Sequence, residues 1–318
     1  MGERKQTLSI VVPVYNEEAV LESFHSRISA VLNAIDFEVE IIYVNDGSKD
    51  RTLKIMEHLQ YTDRRVTIVD LSRNYGKEIA LTAGLDHAKS DAVVVIDADL
   101  QDPPELIPDL IEIWGKGFDV VYAKRLTREG DSWLKKTTAY IFYRLMQTSG
   151  RVKIPEDTGD FRLLSRRAVM ALLQLREQHR FMKGLFTWIG FPQTSVLYKR
   201  DSRYAGKTKW NYWQLWNLAV EGITSFTTAP LRMATYIGLF TAIGAFLFAL
   251  HVVYKTIVYG NPVAGYPSLL VVVLFLGGVQ LMAIGVMGEY LGRIFNETKQ
   301  RPLYFLNMYR PSKFSKPL

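Results

Sequence analysis

The sequence contains no cysteine. Disulfides, thiolate metal sites, iron–sulfur clusters and cysteine nucleophiles are therefore excluded, and any chemistry must rest on oxygen and nitrogen groups. The dinucleotide fingerprint is also missing. No Gly-x-Gly-x-x-Gly follows the first strand-like run, which argues against a dinucleotide-dependent oxidoreductase. Gly206-Lys-Thr208 looks like the end of a phosphate-binding P-loop, but Asp201 stands where that motif requires glycine, and no strand pattern leads into a helix there. Charge is almost absent between Met233 and Gly288, where only Lys255 and His251 interrupt. With no carboxylate in that stretch, and room in it for only two spans, a lipid flippase or transporter is disfavoured. An apolar leader is absent too: Met1-Gly-Glu-Arg-Lys-Gln6 passes straight into a strand pattern, so no cleavable signal peptide is expected.

What is present is a chain of 318 residues, 48% apolar and 22% charged, which is globular rather than disordered in composition. Its net charge of +7 is unevenly spread. Residues 1–198 carry slightly more acid than base, and the positive excess lies in residues 199–232 and 289–318, on either side of the uncharged stretch. Within it, Met233–Tyr254 and Pro267–Gly288 are each 22 residues. As helices they are about 33 Å long, enough to cross a hydrocarbon core of about 30 Å. Two transmembrane helices are expected, joined by a turn over Gly260–Pro267. Arg232 precedes them and Arg293, Lys299, Arg301, Arg310, Lys313 and Lys316 follow. That bias predicts a multi-pass membrane protein with the large N-terminal domain and both termini cytoplasmic. The basic balance then serves a lipid bilayer, and no nucleic-acid partner is expected.

In the first 200 residues, apolar runs of strand length (Leu8–Val14, Val39–Val44, Val66–Leu71, Ala92–Ile96, Phe118–Ala123) alternate with helical stretches (Glu17–Ala34, Asp50–Gln60, Gly76–Ala88, Pro104–Trp114). This order predicts an α/β domain with a mostly parallel sheet covered on both faces. Ligands of such sheets bind beyond the carboxyl ends of the strands. There stand Pro13-Val-Tyr-Asn-Glu17, Asn45-Asp-Gly-Ser48, Ser72-Arg-Asn-Tyr-Gly-Lys77 and Asp97-Ala-Asp-Leu-Gln101. Asp97 and Asp99, two apart after an extended segment, present their carboxylates to one side and suit a hard cation such as Mg²⁺ or Mn²⁺. A lone Asp-x-Asp also occurs as a solvated loop or as a cap before Pro103-Pro104, and Asp46-Gly-Ser48 equally reads as an ordinary turn.

Val12-Pro-Val-Tyr-Asn-Glu17, Asn45-Asp-Gly-Ser48, Leu71-Ser-Arg-Asn-Tyr-Gly-Lys77, Asp97-Ala-Asp-Leu-Gln-Asp-Pro-Pro-Glu105 and Thr158-Gly-Asp-Phe-Arg-Leu163, followed by a basic loop and two apolar spans, resemble the family-2 glycosyltransferases that load sugars onto polyprenyl phosphates. The likeness is greatest to the bactoprenol (undecaprenyl-phosphate) glucosyltransferases, with dolichyl-phosphate mannose synthases related. The resemblance implies a GT-A, Rossmann-like fold, a UDP-sugar donor, a polyprenyl-phosphate acceptor, a divalent Mg²⁺ or Mn²⁺ ion, inversion at the anomeric carbon and a homo-oligomer, by family habit a tetramer. It places Pro13, Tyr15, Glu17, Asp46, Arg73, Gly76, Lys77 and Asp97 at the nucleotide, and Asp97, Asp99 and Gln101 at the metal and diphosphate. Asp160 matches the catalytic carboxylate, with Asp99 at the metal and Asp157 as a neighbouring rival.

Because both substrates are anionic, cations are needed where the acceptor headgroup docks. Arg125, Arg200, Arg203 and Lys209 are the candidates for the lipid phosphate, with Lys135, Lys136 and Lys207 assigned to general attraction toward anionic lipid. Two amphipathic stretches, one carrying Leu134, Ile141, Phe142 and Leu145, the other Trp210, Trp213 and Trp216, suit the membrane interface. The expected organisation is a catalytic domain over 1–200, a basic loop and interface helix over 201–230, two transmembrane helices over 231–294 and a basic tail over 295–318. A processive synthase is disfavoured because Gln178-His-Arg-Phe181 does not match Gln-x-x-Arg-Trp. GDP-mannose or a UDP-amino sugar as donor, and a non-catalytic nucleotide- or lipid-binding module, are the alternatives to UDP-glucose transfer.

Overall fold

In a computed structural model the structure describes residues 5–126, 158–198, 229–260 and 265–313. The N-terminal half alternates as the apolar runs predict: β1 Thr7–Val14, α1 Leu21–Asn33, β2 Glu38–Asn45, α2 Thr52–Thr62, β3 Val66–Leu71, α3 Lys77–His87, β4 Ala92–Val95, α4 Ile107–Gly115 and β5 Val120–Arg125. Helix α1 begins four residues later than Glu17 because Asn16 takes a left-handed conformation, φ 51°, and Glu17 turns back through its carbonyl to the Val20 and Leu21 amides. Asn16 tolerates that conformation better than most residues. Pro104–Leu106 forms a 3₁₀ turn ahead of α4 rather than part of one continuous helix.

The sequence reading has no counterpart for the elements that follow: β6 Thr158–Ser165, α5 Arg166–Leu172, α6 Met182–Trp188 and β7 Gln193–Tyr198. Two apolar helices, α7 Ala229–Tyr259 and α8 Tyr266–Thr298, come next and pack side by side. Both are long and apolar enough to cross a membrane, and their large side chains, Phe240, Phe246 and Leu281 among them, stand exposed. The stretch read as a basic tail over 295–318 is more structured than that. Helix α8 continues to Thr298, and Leu306–Arg310 forms β8.

The eight strands among the described residues make one sheet in the order β7-β5-β6-β4-β1-β2-β3-β8. Strands β6 and β8 run against the other six. One core layer lies under α1, α2 and α4, with Phe24, Ile28, Tyr43 and Met56 buried; the other lies under α3, α5 and α6, with Leu81, Leu85, Val169 and Phe186 buried. Helix α3 lies unusually close to the sheet: a Cβ on Gly84 would come 2.2 Å from Val11 Cγ1. That approach fixes where the helix begins, and therefore where Lys77 stands.

Reversal of β6 and β8 decides what gathers at the carboxyl edge of the parallel strands. Strand β6 starts there, so the segment Thr158-Gly-Asp160 lies beside the ends of β4 and β5. Strand β8 starts there too, with Leu306 opposite Leu71 and the Phe305 carbonyl accepting from the Ser72 amide at 2.9 Å. Both links to the apolar pair, after Tyr198 of β7 and before Leu306 of β8, thus attach at this one edge.

Candidate active site

The register of β4 and β6 pairs Val95 with Arg162 in antiparallel fashion. Two residues further toward the edge along each chain stand Asp97, just past the end of β4, and Asp160 at the start of β6, so the register brings these carboxylates into proximity. Lys77, the first residue of α3, reaches both: its Nζ donates to Asp97 Oδ2 at 2.7 Å and to Asp160 Oδ2 at 2.5 Å. The Asp160 side chain is 12% exposed, and its other oxygen, Oδ1, is buried without a hydrogen-bond partner among the described residues.

Arg162 supports this group from below. Its guanidinium donates to the Gly159 carbonyl at 2.8 Å and the Asp160 carbonyl at 3.3 Å while lying 3.8 Å over the Phe186 ring. Glu78, next to Lys77, accepts from the Met182 amide at 3.2 Å and so fastens the start of α6 to the start of α3.

Burial pushes the Asp160 carboxyl up, but the positive charges of Lys77, Lys183 and Arg162 outweigh it and hold the group below the usual carboxylate range. Asp97 moves the other way, because burial and the negative fields of Asp160 and Asp102 exceed the help it receives from Lys77. Glu78, half-buried and in the negative field of Asp160, is pushed up to about 7 by desolvation and that charge. Lys77 is held firmly protonated by its two carboxylates, which overcome the penalty of burial.

The neighbouring loop is built around Asp46, which is 3% exposed. Its two carboxylate oxygens accept from the Tyr75 amide at 2.7 Å and the Gly76 amide at 3.0 Å. Gly76, φ 94°, then turns the chain into α3. Gly47, φ 64°, lies so close beneath this loop that a Cβ would sit 2.4 Å from the Arg73 carbonyl carbon. Asp46 therefore shapes the loop that delivers Lys77, and burial raises its carboxyl despite those two amides.

The sequence-predicted residues divide into groups. Lys77, Asp97 and Asp160 form one hydrogen-bonded trio. Pro13, Tyr15 and Glu17 lie half-buried at the end of β1, with the Glu17 amide on Thr52 Oγ1 at 2.9 Å. Arg73 is exposed and stacks over the Tyr75 ring at 4.4 Å. Asp99 accepts from the Gln101 amide at 3.1 Å within a loop where Leu100 takes a left-handed φ of 59°. Arg125 lies at the end of β5, with a terminal nitrogen 3.5 Å from where a Gly159 Cβ would be. Asp157, Arg200, Arg203 and Lys209, together with Lys135, Lys136, Lys207 and both amphipathic stretches, lie outside the described residues.

Sequence reasoning missed Asp102, Tyr198, Arg162, Lys183 and Glu78. Asp102 is buried and takes a hydrogen bond from the Tyr198 hydroxyl, which also receives Arg125 Nε at 3.4 Å. A signal existed for Asp102, since it continues the Asp97-Ala-Asp-Leu-Gln run. Tyr198, Lys183 and Glu78 carry none, because only the tertiary fold brings them here.

Comparison with known proteins bears on this arrangement. Residues 9–173 match the family described as Glycosyl transferase family 2. A Bactoprenol glucosyl transferase of Shigella phage SfV is 52% identical over 299 residues, covering 94% of this chain and 97% of its own. A Prophage bactoprenol glucosyl transferase homolog of Escherichia coli K12 is 50% identical, covering 94% and 98%. An uncharacterized glycosyltransferase of Synechocystis is 52% identical over 300 residues, covering 94% of each chain.

Proposed function

The chain belongs to glycosyltransferase family 2, and from that premise we propose that it transfers a hexose, glucose, from a UDP-sugar to undecaprenyl or a similar polyprenyl phosphate. In this reading the apolar pair anchors it in the inner membrane with the catalytic domain cytoplasmic, and transfer inverts the anomeric carbon. It is a glycosyltransferase with a GT-A fold. The names of the relatives support the acceptor, and the observation that carries the reading is the Asp97–Lys77–Asp160 trio at the edge where both links to the apolar helices attach. A soluble acceptor would require no such attachment.

A lipid phosphate monoester carries a charge of about −1.5 to −2 at neutral pH, so its oxygen attacks C1 with no proton to remove. As the new C1–O bond forms on the face opposite UDP, the bond from C1 to the β-phosphate oxygen breaks and UDP leaves with its electron pair. Asp160, kept ionised by Lys77, orients the sugar or acceptor instead of serving as a base. Arg125, beside Gly159, and Arg200, Arg203 and Lys209 offset the acceptor's charge. Pro13, Tyr15, Glu17, Asp46, Arg73 and Gly76 frame the nucleotide. Most of the rate then comes from positioning and fixed charge.

Asp97 and Asp99, with Gln101 beside them, are the residues that would hold Mg²⁺ or Mn²⁺. Among the described residues no group of three His, Cys, Asp or Glu is arranged to hold an ion. A two-carboxylate half-site of hard oxygens, completed by substrate phosphates and water, fits these cations. When bound there, the ion neutralises charge on the diphosphate.

The test is transfer of radiolabelled sugar from UDP-glucose and other UDP- and GDP-sugars to undecaprenyl phosphate in detergent, with Mg²⁺, Mn²⁺ and EDTA arms. A chloroform-soluble product from UDP-glucose that EDTA abolishes is the expected result. Nucleotide binding without lipid-linked product from any donor would refute the reading.

A further inference from the structure

The ammonium of Lys77 holds the same carboxylate to which the divalent ion is assigned. Lys77 Nζ lies 2.7 Å from Asp97 Oδ2, and its second contact, 2.5 Å from Asp160 Oδ2, locks it between two strand ends. The backbone that carries the lysine is fixed, although its side chain is 44% exposed. Lys77 is the first residue of α3, whose start is fixed by the Gly76 turn and the Asp46 carboxylate, and whose body is seated on Val11 through Gly84. A divalent ion bonded to an Asp97 oxygen at about 2.0–2.6 Å would bring a double positive charge within roughly 4 Å of the ammonium on the shared oxygen and roughly 6 Å on the other. Repulsion at those distances is strong wherever water is largely displaced. One of the two cations must then give way, unless an anion arrives between them.

We propose that Lys77 and the divalent ion compete for Asp97, so that the ion enters only together with the nucleotide diphosphate, which draws the Lys77 ammonium off Asp97 while its contact with Asp160 remains. This rests on the metal reading of Asp97 given above. The diphosphate is the group suited to the exchange, because it offers negative oxygens to the ammonium and to the ion together, at the N-terminus of α3 where backbone amides also favour an anion. Lys77 is in this sense a positioning residue that makes metal and nucleotide binding mutually dependent. Such coupling is reciprocal: whatever UDP does for the ion, the ion does for UDP.

The full-length protein in detergent is titrated with Mn²⁺ and followed by electron paramagnetic resonance, with and without UDP, for wild type, Lys77→Met, Lys77→Arg and Asp97→Asn. Wild type should bind Mn²⁺ weakly alone and much more tightly with UDP. Lys77→Met should bind Mn²⁺ alone about tenfold more tightly than wild type, because a positive charge beside the ligand is gone, and the gain from UDP should shrink by a similar factor. Lys77→Arg, which keeps the charge, should stay weak without UDP. A merely structural role for Lys77 would lower affinity in both arms and leave their ratio unchanged. Mn²⁺ binding to Lys77→Met alone that is no tighter than wild type overturns the proposal, while wild type still binding with UDP would leave the metal reading standing. If wild type takes up no Mn²⁺ even with UDP, or Asp97→Asn binds as well as wild type, the metal reading itself falls and the competition with it. Should Lys77→Met fail to accumulate, Lys77→Gln serves the same comparison.

Discussion

Asn307 of β8 donates to one carboxylate oxygen of Asp70 at 2.7 Å, while Asn45 at the end of β2 donates to the other, also at 2.7 Å. A residue beyond the apolar helices is thereby tied to β3 and, through Asp70, to β2 of the catalytic sheet. Ser312 repeats the pattern lower down, its amide on Thr67 Oγ1 at 2.7 Å and its hydroxyl on Glu40 at 3.2 Å. Asp70→Ala leaves the buried Asn45 amide without its acceptor, at a cost of about 1–3 kcal/mol. Removing residues 302–318 goes further, because it bares the β3 edge as a row of unpaired backbone groups open to pairing with other chains. The expected results are a lower melting temperature for Asp70→Ala and aggregation of the truncated chain in size-exclusion chromatography. A truncated protein that remains monodisperse and melts like wild type would show that β8 is dispensable.

Gly47→Ala tests whether the loop that delivers Lys77 is as tightly built as its geometry indicates. A left-handed residue with a side chain costs roughly 1–2 kcal/mol. The added methyl would also meet backbone, the Arg73 carbonyl carbon at 2.4 Å and the Asn74 nitrogen at 2.5 Å, which no rotamer change relieves. Displacing that loop weakens the two amides on Asp46 and shifts the start of α3. The variant should melt several degrees lower and bind UDP at least about tenfold more weakly by calorimetry, a loss of about 1.4 kcal/mol.

These two sites mark where the sequence was legible and where it was not. The first five strands are nearly continuous apolar runs because both faces of the sheet are covered, and that pattern reads directly. Strand β6 is different. Its Thr-Gly-Asp-Phe-Arg start carries a charge at Arg162 that is 4% exposed, satisfied by backbone carbonyls and an aromatic ring that no local pattern announces. Strand β8, Leu-Asn-Met-Tyr-Arg, lies on an exposed edge and has no apolar run to reveal it. Its signal is an Asn–Asp bond across 237 positions. The site divides in the same way. The motifs after β1 to β4 could be read from strand ends alone. That Lys77 bridges Asp97 and Asp160 depends on the reversal of β6, which is a matter of topology.

Glu78 supplies a pH-dependent test. Its carboxyl, pushed to about 7 from an ordinary 4.5 by burial and the charge of Asp160, holds its proton in the folded chain through a range where the unfolded chain has lost it. The folded pKa is the higher one, so this group's effect is a penalty that grows as pH rises from about 4.5 through about 7. Glu78→Gln keeps an acceptor for the Met182 amide and removes the titration. The melting temperature of the variant relative to wild type should therefore rise between pH 5 and pH 8, with the variant the more stable at pH 8. Parallel melting curves across that range would mean that Glu78 is not held neutral.

Asp160 is the group on which orientation and proton transfer part company. Its folded pKa is depressed, so the pairing with Lys77 is fully present above the unfolded value near 3.8 and is lost only as pH falls through the lower folded value. Across pH 5–8 the carboxylate stays ionised, and transfer should show no acid limb belonging to it. Asp160→Asn removes the charge but keeps the shape, and it leaves Lys77 with Asp97 alone. Transfer should fall by at least about a hundredfold, the scale seen when one fixed electrostatic contact to a transition state is removed, while UDP binding changes little. A base would behave otherwise. If wild type loses activity with a midpoint near neutral pH, and the residual activity of Asp160→Asn lacks that limb, then Asp160 takes a proton in the reaction. The difference decides which feature the chain selects at this position: a carboxylate held strongly acidic by Lys77 is well suited to align a phosphate nucleophile that has no proton to give, and poorly suited to deprotonate anything.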